Sequence, residues 1–267
     1  MTEYGTEDLD FVLRVLLKEQ NDHSNVAIPE DIAGKRLLMR SLMNVRQPLP
    51  VSRYFLQAQD AELRSQLMEK GVVKADQIPG SLSDHRLKLW QGDITRLKVD
   101  AIVNAANSQL LGCFIPLHTC IDNAIHSAAG IQLRQECHKL MKARGYPEPP
   151  GSAKITMGYN LPARYVIHTV GPIIGNGIVT CQDESRLADC YISCLNTASE
   201  HWLKSIAFCC ISTGEYRFPN QKASEIAVET VRRFFRQHKN VSIETVVFNV
   251  FKDLDFSLYG KLLNPGK

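Results

Sequence analysis

Residues 99–112 read VDAIVNAANSQLLG. Ala101, Ile102 and Val103 form a short, nearly continuous apolar run, the pattern of a strand buried on both faces of a sheet. Asn104 and Asn107 follow as the run ends. Their amides donate and accept together, so they suit a polyhydroxylated ligand or the framework itself. A buried strand opening into a polar loop points to an α/β sheet, in which ligands gather at the carboxyl ends of the strands.

The same alternation recurs along the chain. LKLWQGDI (87–94), ARYVIHTV (163–170), SIAFCCIS (205–212) and IETVVFNVF (243–251) read as further strands. Between them, residues 121–144 read as one helix. DESRLADCYISCLNTASEHW (183–202), with Asp183 placed to cap it, and NQKASEIAVETVRRFFRQH (220–238) read as two more. Strands separated by amphipathic helices predict an α/β layered domain with a largely parallel sheet.

The first eighty-odd residues differ. Leu9, Val12, Leu13 and Leu16 recur at helical spacing, and GKRLLMRSLMNVR (34–46) is a second helix stopped by Pro48 and Pro50. DAELRSQLMEKG (60–71) is a third, with Asp60 placed to cap its start and Gly71 its end. IPGSLSD (78–84) reads as a linker. The expected division is a helical extension over 1–84 and an α/β domain over 85–267.

Bulk properties narrow the function. The chain has 267 residues, 44% hydrophobic and 22% charged, with net charge +3. That mild basicity fits a small anionic ligand. No Lys/Arg cluster with interleaved aromatics suggests nucleic acid. The N-terminus, MTEYGTEDLDFVLRVLLKEQ, is acidic where a secretory leader would be basic, and no apolar run approaches a membrane span. Eight cysteines are irregularly spaced, with Cys209 and Cys210 adjacent, which suits a reducing, cytoplasmic setting better than a disulfide framework.

Four loops carry chemistry: QGDIT (91–95), NAANSQLLG (104–112), GCFIPLHTCID (112–122) and STGEYRFP (212–219). Asp93 is an acceptor or a turn former. The Ser212–Gly214 backbone can present N–H groups to an anion such as a diphosphate. Cys113, His118 and Cys120 place three zinc donors within eight residues. Their spacing is not that of a finger, so the residues alone leave metal binding and coincidence both open. Three ligands with an open position suit a catalytic zinc, whereas a structural site takes four; Cys137 and His126 are poorly placed to be the fourth. His126 and His168 read as packed side chains, and Cys137, Cys181, Cys190, Cys194, Cys209 and Cys210 as small core residues. Asp122 is placed to cap a helix and, favoured there as an anion, to orient or deprotonate a water.

Taken in order, GDIT, VDAIVNAAN, IHSAAG, YVIHTVGP and ISTGEYRFP resemble the macrodomain family over roughly residues 87–260, about two-thirds of the chain. The resemblance implies a three-layer α/β/α module, with a mixed, largely parallel sheet, that binds ADP-ribose. Around DNAIHSAAG the likeness is to MacroD-type hydrolases, whose catalytic aspartate falls on Asp122. Their glycine-rich phosphate loop is replaced here by CFIPLHTCI. That segment resembles zinc-dependent macrodomains of some bacteria and fungi, which also carry a helical N-terminal extension that LMNVRQPLP (42–50) is similar to.

Within that lineage Cys113, His118 and Cys120 match the ligands of one Zn2+. Asp93, with Ile94 beside it, matches the residue that accepts from adenine, and Asn107 the one near the distal ribose. Ser212, Thr213, Gly214, Glu215 and Tyr216 match the diphosphate loop, with Tyr216 also suited to plain packing or to covering the ribose. Phe251 is placed to stack on adenine. Arg217 stands where a glycine is common.

The implied function is zinc-dependent hydrolysis of mono-ADP-ribose from modified proteins, at Asp or Glu esters, with Asp122 and Asn107 catalytic. The alternatives are a non-cleaving ADP-ribose reader, whose zinc only braces a loop, and hydrolysis of O-acetyl-ADP-ribose. The resemblance also implies a lipoyl-carrier protein as substrate and a sirtuin as its modifier; the composition and the apolar runs point to no nucleic-acid or membrane partner.

Overall fold

The computed structural model describes residues 4–20, 26–175 and 177–265; Met1–Glu3, which open the acidic N-terminal run, lie outside them. Three helices lead the chain, α1 (Tyr4–Lys18), α2 (Ile32–Val45) and α3 (Arg53–Lys70). Asp31 caps α2 by accepting from Gly34 N at 2.8 Å. Helix α3 starts a full two turns before Asp60, because Ser52 caps it by accepting from Phe55 N at 3.1 Å. Asp60 lies inside the helix; its Oδ1 accepts from Gln59, Gln132 and Asn160 at 3.0, 2.8 and 2.7 Å. Gly71 ends the helix as expected. The apolar faces of the three helices meet in one core around Leu9, Leu13, Leu16, Met39, Leu42 and Phe55, which Ile131 joins from the later chain.

The remaining elements, in order, are β1 (Val73–Lys74), β2 (Leu87–Gln91), β3 (Leu97–Lys98), β4 (Ala101–Ala105), α4 (Ile121–Ala129), α5 (Ile131–Arg144), β5 (Ala153–Met157), β6 (Tyr165–Thr169), α6 (Cys181–Glu200), β7 (Ser205–Phe208), α7 (Asn220–Gln237), β8 (Thr245–Val250) and α8 (Asp253–Leu263). Six strands form a sheet in the order β2-β8-β7-β4-β6-β5, parallel except where β5 pairs antiparallel with β6. Strands β1 and β3 make a separate parallel pair. Residues 78–84 are strapped onto this part: Ser81 N donates to Leu87 O, and Ser83 Oγ to Leu263 O.

Register places the helices. Asn104 pairs with His168, and both face Asp122 of α4 and Cys137 of α5. Phe208 and Phe248, side by side on the opposite face, pack against Tyr191 of α6 and Tyr259 of α8. Helices on both faces give three layers.

Three further sequence expectations change. The helix over 121–144 breaks at Gly130, whose φ of +96° ends one helix and begins the next. Thr180, not Asp183, is the N-cap of α6; Asp183 closes a capping box by accepting from the Thr180 backbone N–H at 3.0 Å. Asp122 is not the N-cap of α4 either. Cys120 holds that place, its Sγ accepting from Asn123 N at 3.4 Å. Strand β5 and helix α8 had no sequence signal strong enough to draw them out.

Candidate active site

The carboxyl ends of β2, β4, β7 and β8 open into one cleft of about 940 Å³. Asp93 and Ile94 follow β2, Asn107 follows β4, Ser212 to Tyr216 follow β7, and Phe251 follows β8; all of them line it. So do Cys113, His118, Cys120 and Asp122. A right-sized cavity at the strand ends is where an α/β sheet holds its ligand.

Asp122 lies at its floor, 6% exposed. Asn104 Nδ2 donates to its Oδ1 at 2.7 Å and Asn107 Nδ2 to its Oδ2 at 3.3 Å. Burial pushes its carboxyl up to about 6, opposed by the Asn104 hydrogen bond and the positive charge of Arg134. It remains mainly ionised at neutral pH. Asn107 Nδ2 also reaches Gly112 O at 3.0 Å, tying the start of the next loop to the same carboxylate. Gly112 has φ +79°, and a Cβ there would approach His126 Cγ to 2.8 Å, so the close approach of loop to helix needs glycine.

The loop from Gly112 to Cys120 gathers its three soft donors. One donor atom from each of Cys113, His118 and Cys120 lies within 4.8 Å of the others. Cys113 Sγ and His118 Nδ1 are 3.6 Å apart. Tetrahedral zinc with ordinary Zn–S and Zn–N bond lengths separates such a pair by about 3.6 Å, so the spacing fits that ion. No fourth His, Cys, Asp or Glu joins the group among the described residues. Burial first, with the neighbouring Cys113 and Asp122 adding, pushes the Cys120 thiol up to about 12; a cation among these donors reverses that. On the far side of the ring, His118 Nε2 lies 3.7 Å from Glu215 Oε1, across the cleft on the loop after β7.

The other expected residues also have definite surroundings. Asp93 Oδ1 accepts from Thr95 N and Oγ1 at 3.0 and 2.6 Å, which is the turn-forming role, while Oδ2 faces Lys70 Nζ at 3.6 Å. Ile94 is buried beneath it. Ser212 has φ +65° and a buried hydroxyl with no partner among the described residues. Tyr216 is half-buried, and Phe251 is 76% exposed at the rim.

His126 and His168 are buried as expected. Asn104 Nδ2 lies 3.2 Å from His168 Nδ1, and Thr156 Oγ1 lies 2.9 Å from His168 Nε2. With Asn104 donating, the proton sits on Nε2 and points to Thr156. Burial holds His168 down to about 3 and His126 well below its usual value. Cys137, Cys190, Cys194 and Cys209 are core residues, but Cys181 is exposed at the start of α6 and Cys210 is only half-buried.

The Macro domain model matches residues 103–227. A protein-ADP-ribose hydrolase of Treponema medium is 50% identical over 256 residues, covering 95% of this chain and 97% of that one. A protein-ADP-ribose hydrolase of Staphylococcus aureus (strain MSSA476) is 46% identical, covering 96% and 95%. The chain belongs to the Macro domain family. The crystal structure of a Trypanosoma brucei macrodomain in complex with ADP-ribose superimposes with TM-score 0.65 at 30% identity, over 84% of this chain and 95% of that one.

Two features of this macrodomain were not settled by sequence reasoning. Helices α2 and α3 supply a wall of the cleft through Arg36, Met39, Arg40, Met43, Leu63 and Lys70. Helical periodicity showed that they had an apolar face, but not what that face would meet. Arg134 is the second. Though charged, it is nearly buried, and it donates to Leu111 O, Met43 O and Arg46 O at 2.6, 2.9 and 2.6 Å. Its guanidinium also covers the Phe114 ring at 4.3 Å. An arginine inside an otherwise apolar helix face was the available signal. Arg217 adopts φ +57°, which is the conformation glycine adopts without strain. Its side chain is exposed.

Proposed function

We propose that this macrodomain is a zinc-dependent protein-ADP-ribose hydrolase that removes mono-ADP-ribose from protein carboxylates. The observation that carries the reading is the meeting, in one cleft, of a zinc-spaced donor set with no fourth protein ligand among the described residues and a buried carboxylate held by two asparagines. A reader would need no such carboxylate, and a bracing zinc would take a fourth ligand.

ADP-ribose would lie across the strand ends. Adenine sits by Asp93 and Ile94 with Phe251 at its edge, and the diphosphate against the backbone of Ser212 to Tyr216. The distal ribose is then between Asn107 and the loop holding Cys113, His118 and Cys120. Zinc on that loop would supply Lewis acidity toward a substrate oxygen. Asp122, raised toward neutrality yet still ionised, is suited to orient a water and take its proton as the water adds across the ribosyl–carboxylate bond. ADP-ribose and a free carboxylate leave, and the proton held by Asp122 returns to solvent. Asn104 and Asn107 keep the carboxylate aimed.

Automodified ADP-ribosyl protein incubated with the wild-type protein should release ADP-ribose. Asp122→Ala should slow release by about 100-fold or more, the usual worth of a general base, and His118→Ala should do so while lowering bound zinc. Equal release by all three proteins would refute the assignment. O-acetyl-ADP-ribose offered in the same assay should be the poorer substrate. A mono-ADP-ribosylated lipoyl-carrier protein, the product of a sirtuin, is the substrate class to offer first, in keeping with a cytoplasmic setting. No helix among the described residues is long and apolar enough to cross a membrane.

A further inference from the structure

The loop that carries Cys113, His118 and Cys120 is held by side chains from the N-terminal helices as well as by its own domain. Arg40 Nη2 donates to His118 O at 3.0 Å and to Asn123 Oδ1 at 2.9 Å; Arg40 Nε reaches the same Oδ1 at 3.3 Å. Four residues later, on the same face of α2, Asn44 Oδ1 accepts from Leu117 N at 3.0 Å. Its Nδ2 donates to Ser127 Oγ at 2.9 Å, and Ser127 Oγ donates to Asn123 Oδ1 at 3.3 Å. Asn123 Nδ2 closes the set by donating to Ile115 O at 3.0 Å.

Asn44 and Asn123 are essentially buried. Their amides are therefore costly to leave unmade and specify one arrangement when all are made. The backbone they hold is itself unusual. Leu117 has φ +54°, a conformation that strains any residue but glycine and persists only where its surroundings enforce it. The Asn44 bond falls on the N–H of that residue, and the Arg40 bond on the carbonyl of the next, which is His118.

We propose that helix α2 is the template of the donor loop, with Arg40 and Asn44 as positioning residues that fix the backbone at Leu117 and His118 and so set the spacing of Cys113, His118 and Cys120. The N-terminal helices then complete the site rather than merely flank it. Arg40 also lines the cleft, whereas Asn44 does not. Both act through the loop, in the way that groups behind metal ligands orient them. The proposal rests on the reading of that loop as a zinc site.

The test uses the full chain, with Co2+ as a spectroscopic probe of the thiolate–imidazole set, in wild type, Arg40→Ala, Arg40→Lys and Asn44→Ala. Thermal melting first checks that each is folded; half-buried Arg40 provides the deciding variants. Wild type should take up one ion with thiolate charge-transfer bands. Arg40→Ala should bind it about 10- to 100-fold more weakly, and Arg40→Lys, which can serve one acceptor at a time, should recover part of the loss. In metal-free protein the Leu117 and His118 amides should exchange with solvent faster in Arg40→Ala, while those of the central strands do not change. Unchanged affinity, or weaker affinity with unchanged loop exchange, would overturn the proposal. If wild type itself takes up no ion, the zinc reading fails; the exchange of Leu117 and His118 then decides alone whether α2 holds the loop, and no change there overturns it too.

Discussion

Under the Asp122 carboxylate lies a polar layer that stays neutral. His126 and His168 are buried beside Asp122, and both are held below their ordinary range, His168 at about 3. In the unfolded chain each takes up a proton near pH 6.5, whereas the folded protein does not. Each therefore contributes stability above pH 6.5 that is lost as pH falls. Asp122 acts oppositely: raised to about 6, it is protonated in the folded state first, and so gains stability between about pH 6 and its unfolded value near 4. Two histidines outweigh one carboxyl, so urea midpoints should fall between pH 6.5 and 4. The slope of that fall is set by the protons that the unfolded chain takes up and the folded chain does not. His168→Gln should flatten that slope, and a stability flat over this window in the wild-type protein would show that the histidines are not buried neutral. The individual residues were largely legible: Asp93, Asn107, the three donors, Asp122 and the loop after β7 all reach one cleft. What hid was their local role, as with Asp122, where a sulfur rather than a carboxylate caps the helix.

At the level of elements, periodicity located helices and buried strands because burial on one or both faces leaves a repeating apolar trace. It failed where the trace was continuous or thin. Residues 121–144 keep helical periodicity through Gly130, so only the +96° φ reveals two helices. Strand β5 carries Lys154 and Thr156 at the sheet edge and lacks the run that marked the central strands. Asp60 was misplaced because its type suggests a cap, whereas its work is to join α3 to α5. Its Oδ1 gathers three amide donors from Gln59, Gln132 and Asn160. Asp60→Ala removes the acceptor that the three amides share, although Gln59 Nε2 keeps Gln132 Oε1 and Asn160 Nδ2 keeps Ala129 O, and should lower unfolding free energy by about 1 kcal/mol; a urea titration showing no loss would mean that water replaces it fully.

For the molecule as a whole, the sequence separated a helical N-terminal part from an α/β part, but contacts such as Arg40 with His118 span 78 residues and leave no local trace. Those contacts turn α2 and α3 into a wall of the cleft and a hold on its donor loop, so the site is assembled from both ends of the chain. Under the proposed function, hydrolysis at this site needs the ion that Cys113, His118 and Cys120 are spaced to take. Zinc quantification paired with a demodification assay, before chelation, after it and after zinc is restored, decides this requirement. The expected result is about one zinc per chain, loss of ADP-ribose release on chelation, and recovery when zinc returns. Full release from protein shown to be free of zinc would contradict it.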